Sequence, residues 1–325
     1  MKPRRGPTAI LGPILRFVVA AGLTAYVLAK SHPSDVLAAA AAADWRLIAL
    51  AALLVLVDRA LMAYRWIVLL CTVDPAVRPP LGAVMRIFFV STFIGTFLPA
   101  SVGGDVVRAY RIAKEKVGGG DAVASVFMDR MLGVASVLAM ALVGLLLVRD
   151  LAADWAVITS LVAAGAVCGV TLLLVFSRRA AALAAGVIER LPATGRIAGH
   201  RLLEAIRRYA AFHRQLFNVL FCSIAVQIFR IVQAYYLGRG LGIAAPLTVY
   251  FAFIPIILMV MLLPVTVNGI GTSQAAFVWF FSRAGVPASS SFALSVLFVG
   301  LNVVGNLPGA FLFVIGRRSQ FSRTG

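Results

Sequence analysis

Two apolar stretches of this chain break in the same way. Leu98-Pro99-Ala100-Ser101-Val102-Gly103-Gly104 and Leu263-Pro264-Val265-Thr266-Val267-Asn268-Gly269 both fit Leu-Pro-x-[Ser/Thr]-Val-x-Gly. Each ends an apolar run and opens a further helical segment. Proline removes a backbone donor and clashes with the preceding turn, and glycine permits non-helical backbone. Inside lipid the freed backbone groups must find partners in protein or in a water-filled cavity. Matching Pro/Gly interruptions in two halves of a chain mark a transporter built from internal repeats, with its substrate site at the breaks. Two unrelated proline kinks are the plainer alternative.

Lipid is the solvent that the composition demands. Of 325 residues 62% are hydrophobic and 13% charged, against about 25% charged in soluble domains. The longest polar stretch, about Ser177 to Arg214, leaves no room for a soluble domain, so residues 1–325 read as one integral membrane domain. The net charge is +18, from 30 Lys and Arg against 12 Asp and Glu. These basic residues flank apolar runs, so the cytoplasmic-loop bias and anionic headgroups account for them better than nucleic acid does. Cys71, Cys168 and Cys222 lie far apart, within or at the end of apolar runs, and read as small core residues. The histidines, His32, His200 and His213, lack metal-ligand spacing. No nucleotide loop and no nucleophile-plus-base set is visible. Neither catalysis nor a cofactor is expected.

A spanning helix needs about 20 apolar residues. Six uninterrupted spans are expected at Ile10–Ala29, Arg46–Leu70, Ala122–Val148, Trp155–Phe176, Leu216–Leu237 and Ser290–Ile315. Leu81–Lys116 and Ala245–Arg283 are broken. Lys2, Arg4 and Arg5 place the N-terminus in the cytoplasm, and Arg317, Arg318 and Arg323 the C-terminus. A signal peptide cleaved in the Ala38–Ala43 run is the alternative at the N-terminus; Arg16 and the length to Ala29 suit an anchor better. Segment 178–214, with eight arginines against Glu189 and Glu204, belongs in the cytoplasm too. A full crossing at Leu81–Pro99 would strand Arg111, Lys114, Lys116 and this segment outside. A hairpin that enters, breaks and returns keeps every basic cluster inside. The second broken segment then enters from the other face. The expected fold is an all-α polytopic membrane protein with six spans, two inverted re-entrant helical hairpins and repeat halves of about 1–150 and 151–325. The Ala, Arg and Gly bias suggests a bacterial source, hence the inner membrane.

Ionisable side chains inside a span usually face a partner or a cavity. Asp58 and Arg59, Asp129 and Arg130, and Arg230 with Gln227 all sit within apolar runs. Asp105 and Arg108 follow the first break, and arginine suits bidentate phosphate contact. For Asp58 and Arg59 a structural ion pair and a functional role weigh about evenly. Asn302 and Asn306 read as glue between helices. Free amides near Gly103–Val106 and Gly271–Gln274 favour anions, with Thr272 or Ser273 able to cap. The candidate substrate path is therefore Pro99, Ser101, Gly103, Gly104, Asp105 and Arg108 at the first break, and Pro264, Thr266, Asn268, Gly269, Gly271 and Gln274 at the second. Asp58, Arg59, Asp129, Arg130 and Arg230 complete it. In 196–214, Leu202, Ile206, Tyr209 and His213 share a face, which fits an amphipathic helix on an anionic leaflet as well as a solvated basic loop.

Phe93-Ile94-Gly95-Thr96-Phe97-Leu98-Pro99, Gly103-Gly104-Asp105, Arg108 and Asp129-Arg130 resemble the lysylphosphatidylglycerol synthase transmembrane-region family. Leu263-Pro264, Asn268-Gly269-Ile270-Gly271 and Gly285-Val286-Pro287 resemble its second signature. That family often has Arg-Glu after its second Gly-x-Gly, where this chain has Ser273-Gln274, so no charge-dependent role carries over there. Full synthases add a soluble aminoacyl-transferase domain, which this sequence lacks. The resemblance therefore implies flippase-like movement of a phospholipid or isoprenoid-linked anionic lipid between leaflets. The partners it implies are membrane lipids. A secondary transporter for a small anion and a non-catalytic membrane partner of a lipid or glycan synthase are the alternatives.

Overall fold

The computed structural model describes residues 21–73, 79–97, 103–115, 117–148, 155–262 and 269–321, and among them every regular element is helical. Helix α1 covers 21–30, and α2 (Pro33–Ala41) follows it. The long helices are α3 (Trp45–Val73), α6 (Gly119–Leu147), α7 (Trp155–Phe176) and α10 (His213–Gly240). Between them lie two short pairs, α4 (Leu81–Phe97) with α5 (Gly103–Ala113), and α11 (Leu247–Leu262) with α12 (Thr272–Ser282). Helices α8 (Arg178–Ile188) and α9 (Ala193–Arg208) carry the basic segment, and α13 (Ala288–Val304) and α14 (Leu307–Phe321) complete the order.

Five helical stretches are long and apolar enough to cross a bilayer: Trp45–Thr72, Gly119–Leu147, Val157–Phe176, His213–Gly240 and Ala288–Val314. Each matches an expected span. The other expected span, Ile10–Ala29, lies largely outside the described residues. The chain is a multi-pass helical membrane protein. One boundary moves. The second span was expected at Arg46–Leu70. Instead α3 runs on to Val73, which leaves Arg65 about two turns inside it.

The tips of the two short pairs, Leu98–Val102 and Leu263–Asn268, lie outside the described residues. Their arms do not. Arms α4 and α5 are antiparallel and touch through glycine. A Cβ on Gly104 would stand 2.8 Å from the Ser91 carbonyl oxygen and 3.1 Å from Gly95 Cα. Only glycine lets two helices approach this closely. Arms α11 and α12 pack through aromatic rings instead, Phe253 against Phe280 and Phe281.

Helices α3 and α10 lie against each other. Helix α6 packs on α11, and α14 packs on α4. Both contacts use a glycine. A Cβ on Gly144 of α6 would reach 2.7 Å from the Ala252 carbonyl oxygen and 3.0 Å from that of Phe251. Pro255 has no N–H to give Phe251, so α6 closes on a carbonyl that lacks its helical donor. A Cβ on Gly309 of α14 would collide with the Phe89 carbonyl and come within 2.7 Å of Phe93 Cβ.

The basic segment packs on this bundle rather than standing clear of it. Tyr209, in a short 3-10 turn after α9, is buried and donates to the Leu69 carbonyl at 3.0 Å. Burial pushes its phenol pKa well above the usual value. Ile206 and Ala205 are buried against Leu69, Met128 and Val219, and His213 stacks on Phe176. The shared face of Leu202, Ile206, Tyr209 and His213, which fitted a lipid surface as well as a solvated loop, therefore faces the protein instead.

Candidate functional site: an arginine-lined cavity

A cavity of 370 Å³ opens where α3, α4, α5, α6, α10, α11 and α13 converge. Arg59, Arg65, Arg108, Arg130 and Arg230 line it, together with Asp105 and Asp129. Asp58 stands just behind, paired to two of these arginines. The sequence spreads these eight residues over 173 positions; the fold brings them to one place.

They form two clusters. In the first, Asp58 accepts from Arg59 Nη1 at 3.0 Å and from Arg230 Nε at 2.9 Å, joining α3 to α10. Arg59 also donates to the Asn302 side chain at 2.9 Å and to its carbonyl at 3.2 Å, which ties in α13. Both guanidiniums point a further N–H at Met62 Sδ, at 3.3 and 3.2 Å. A thioether is a weak acceptor.

In the second, Asp129 accepts from Arg65 Nε at 2.6 Å and from Arg108 Nη1 at 3.2 Å. Asp105 accepts from Arg108 Nη2 at 3.3 Å and from Arg130 Nε. The order Arg65–Asp129–Arg108–Asp105–Arg130 links α3, α6 and α5. Arg65 also donates to Ser223 of α10 at 3.0 Å. Arg108 lies over the rings of Phe88 and Trp66, at 5.0 and 5.2 Å from their centres. These faces supply further attraction to the cation.

The charges are deeply set. Asp58, Arg59, Arg65, Asp105, Arg108 and Asp129 are all buried. The side chains of Arg130 and Arg230 keep 39% and 19% of their surface exposed, so one arginine of each cluster stays accessible. Four lining residues retain a buried polar atom without a hydrogen-bond partner among the described residues: Arg59 Nε, Arg108 Nε, Gln227 Oε1 and Asn306 Oδ1. Such orphaned groups are costly in a finished core and are common where a ligand completes the bonding.

The second break enters the site less than the first. Gly104, Asp105 and Arg108 line the cavity, whereas the second hairpin supplies Leu258, Met261 and Leu262. Gly103, Gly269, Gly271 and Gln274 are not among the lining residues. Gly271 (φ 89°) sits where only glycine is comfortable, and its N–H donates to Gln274 Oε1 at 2.6 Å. Gln274 thus closes the N-terminus of α12, the place where Thr272 or Ser273 was expected to cap. Pro99, Ser101, Pro264, Thr266 and Asn268 lie outside the described residues.

Six polar lining residues were not among the expected path residues: Arg65, Thr92, Thr96, Gln227, Asn302 and Asn306. Asn302 and Asn306 read as glue, yet both line the cavity, and Asn306 donates to Thr96 Oγ1 of α4 at 2.8 Å. Their spacing, at i and i+4 in an apolar run, was the available signal, although α13 ends at Val304 and Asn306 sits in the turn before α14.

A family model described as the lysylphosphatidylglycerol synthase TM region matches residues 14–309. Among curated proteins none matches the chain.

Proposed function

Because the chain belongs to the lysylphosphatidylglycerol synthase transmembrane-region family, we propose that it moves an anionic lipid headgroup between leaflets through the arginine-lined cavity. One observation carries this reading. Five guanidiniums and three carboxylates converge on one cavity among apolar helices. Uncompensated charge at membrane depth is costly, and an anion in the cavity offsets it. A volume of 370 Å³ suits a headgroup, while acyl chains stay in the bilayer.

Alternating access is the motion proposed. Helices α5 and α12 have 11 residues each, about half a bilayer core at 1.5 Å per residue. As arms of re-entrant hairpins from opposite faces they make an inverted pair. The matched contacts α6–α11 and α4–α14, each through a glycine, support that symmetry. Arginine placement supports cytoplasmic termini and a cytoplasmic 178–214 segment, in a bacterial inner membrane. The role is transport without catalysis.

The volume also suits a small soluble anion, the second reading. Photo-crosslinking in nanodiscs separates the two. An anionic phospholipid with its reactive group on the headgroup is expected to label Val134, Leu258 or Val299, which line the cavity. Labelling confined to outward residues such as Leu146 and Phe217, or protection of the cavity by soluble anions alone, contradicts lipid as the substrate.

A further inference from the structure

We infer that the ligand of this cavity is a dianionic phosphate group, a phosphomonoester or a diphosphate, rather than a singly charged phosphodiester; the assignment to a lipid headgroup rests on the function proposed above. The charge is divided in a way that points there. The first cluster holds Arg59 and Arg230 against Asp58, an excess of one positive charge. The second holds Arg65, Arg108 and Arg130 against Asp105 and Asp129, again an excess of one. Among the described residues no other ionisable side chain lines the cavity. A monoanion would leave one cluster uncompensated. A single group with two negative charges neutralises both.

Exposure agrees with this division. Arg230 of the first cluster and Arg130 of the second are the arginines with accessible surface, while the other three are buried. A dianionic phosphate has oxygens for both, and arginine is the side chain that binds such oxygens in pairs. The two N–H groups spent on Met62 Sδ, a weak acceptor, are further donors at Arg59 and Arg230.

The test is binding to the full chain in nanodiscs, with phosphatidic acid, phosphatidylglycerol and diacylglycerol, and with inorganic phosphate and pyrophosphate in the buffer. At pH 7.5 phosphatidic acid is expected to bind about tenfold or more tighter than phosphatidylglycerol, since one further charge is compensated in a low-dielectric site. A phosphomonoester loses its second charge near pH 6, so the preference is expected to vanish at pH 5 in the unaltered protein. Arg130→Gln and Arg230→Gln should each remove the preference at pH 7.5 while leaving weaker binding of both lipids. Equal binding of the two phospholipids at pH 7.5 overturns the dianion and leaves lipid translocation standing. Binding of phosphate or pyrophosphate with no lipid preference keeps the dianion and overturns the lipid. Binding of neither class overturns both.

Discussion

Arg65 Nε donates to Asp129 Oδ1 at 2.6 Å, joining α3 to α6 in the interior, although the two residues stand 64 positions apart. Asp129 accepts from Arg108 as well, so one carboxylate holds two guanidiniums. Removing it strands two buried cations. Asp129→Asn is expected to cost about 3–5 kcal/mol, the usual penalty for breaking a buried pair from one side. Arg65→Met with Asp129→Leu should cost less than the sum of the single changes by about 1 kcal/mol or more. Unfolding in detergent measures both; strict additivity contradicts a direct pair.

The close approach of the first hairpin's arms makes a second expectation. Gly104→Ala would push a methyl group to 2.8 Å from the Ser91 carbonyl, at a cost of about 1–3 kcal/mol. Gly82, in the first turn of α4, has nothing within 4 Å of an added Cβ. Gly82→Ala should be neutral or stabilise by about 0.5–1 kcal/mol. Equal melting temperatures for the two variants would show that the arms are not in glycine contact.

Tyr209 fastens the basic segment to α3 by one buried bond to Leu69. Tyr209→Phe keeps the ring and removes the donor. It should lower stability by about 1 kcal/mol, and faster proteolysis between α8 and α10 is the readout that links the loss to this segment. Unchanged cleavage contradicts the fastening role.

These contacts mark where the sequence was legible. The span positions could be read because lipid demands about 20 apolar residues wherever a helix crosses. Asp58, Arg59, Asp129, Arg130 and Arg230 stood out because each sits in an apolar run, and Asp105 and Arg108 because they follow the first break. Their partners did not, because Asp58 and Arg230 are 172 positions apart and Arg59 and Asn302 243 apart. Arg65 also lies in an apolar run, but nothing in the sequence says that it meets Asp129. What covers the face of Leu202, Ile206 and Tyr209 stayed open for another reason. An apolar stripe has the same period whether lipid or a neighbouring helix covers it. Gly95, Gly144 and Gly309 gave no sign of which helix they would meet.

Hairpin topology is open to labelling. In a background without Cys71, Cys168 and Cys222, Arg86→Cys on α4 and Lys114→Cys after α5 should react with an impermeant thiol reagent from the same side of the membrane. Reaction from opposite sides means that the chain crosses between them, and the inverted-hairpin reading fails.

Passage of an anionic headgroup through the cavity is tested at Arg130 and Arg230. Asp105 keeps Arg108, and Asp58 keeps Arg59, when these two become glutamine. The double variant should therefore fold and melt near the unaltered protein, unlike changes at Arg108. The most direct measurement is transfer of a headgroup-labelled acidic phospholipid between leaflets of protein-containing vesicles. Transfer by the unaltered chain, and a loss of about tenfold or more in the folded Arg130→Gln, Arg230→Gln variant, is the expected result. Equal transfer by both proteins, or none by either while vesicles take up a soluble anion, contradicts lipid passage through this cavity.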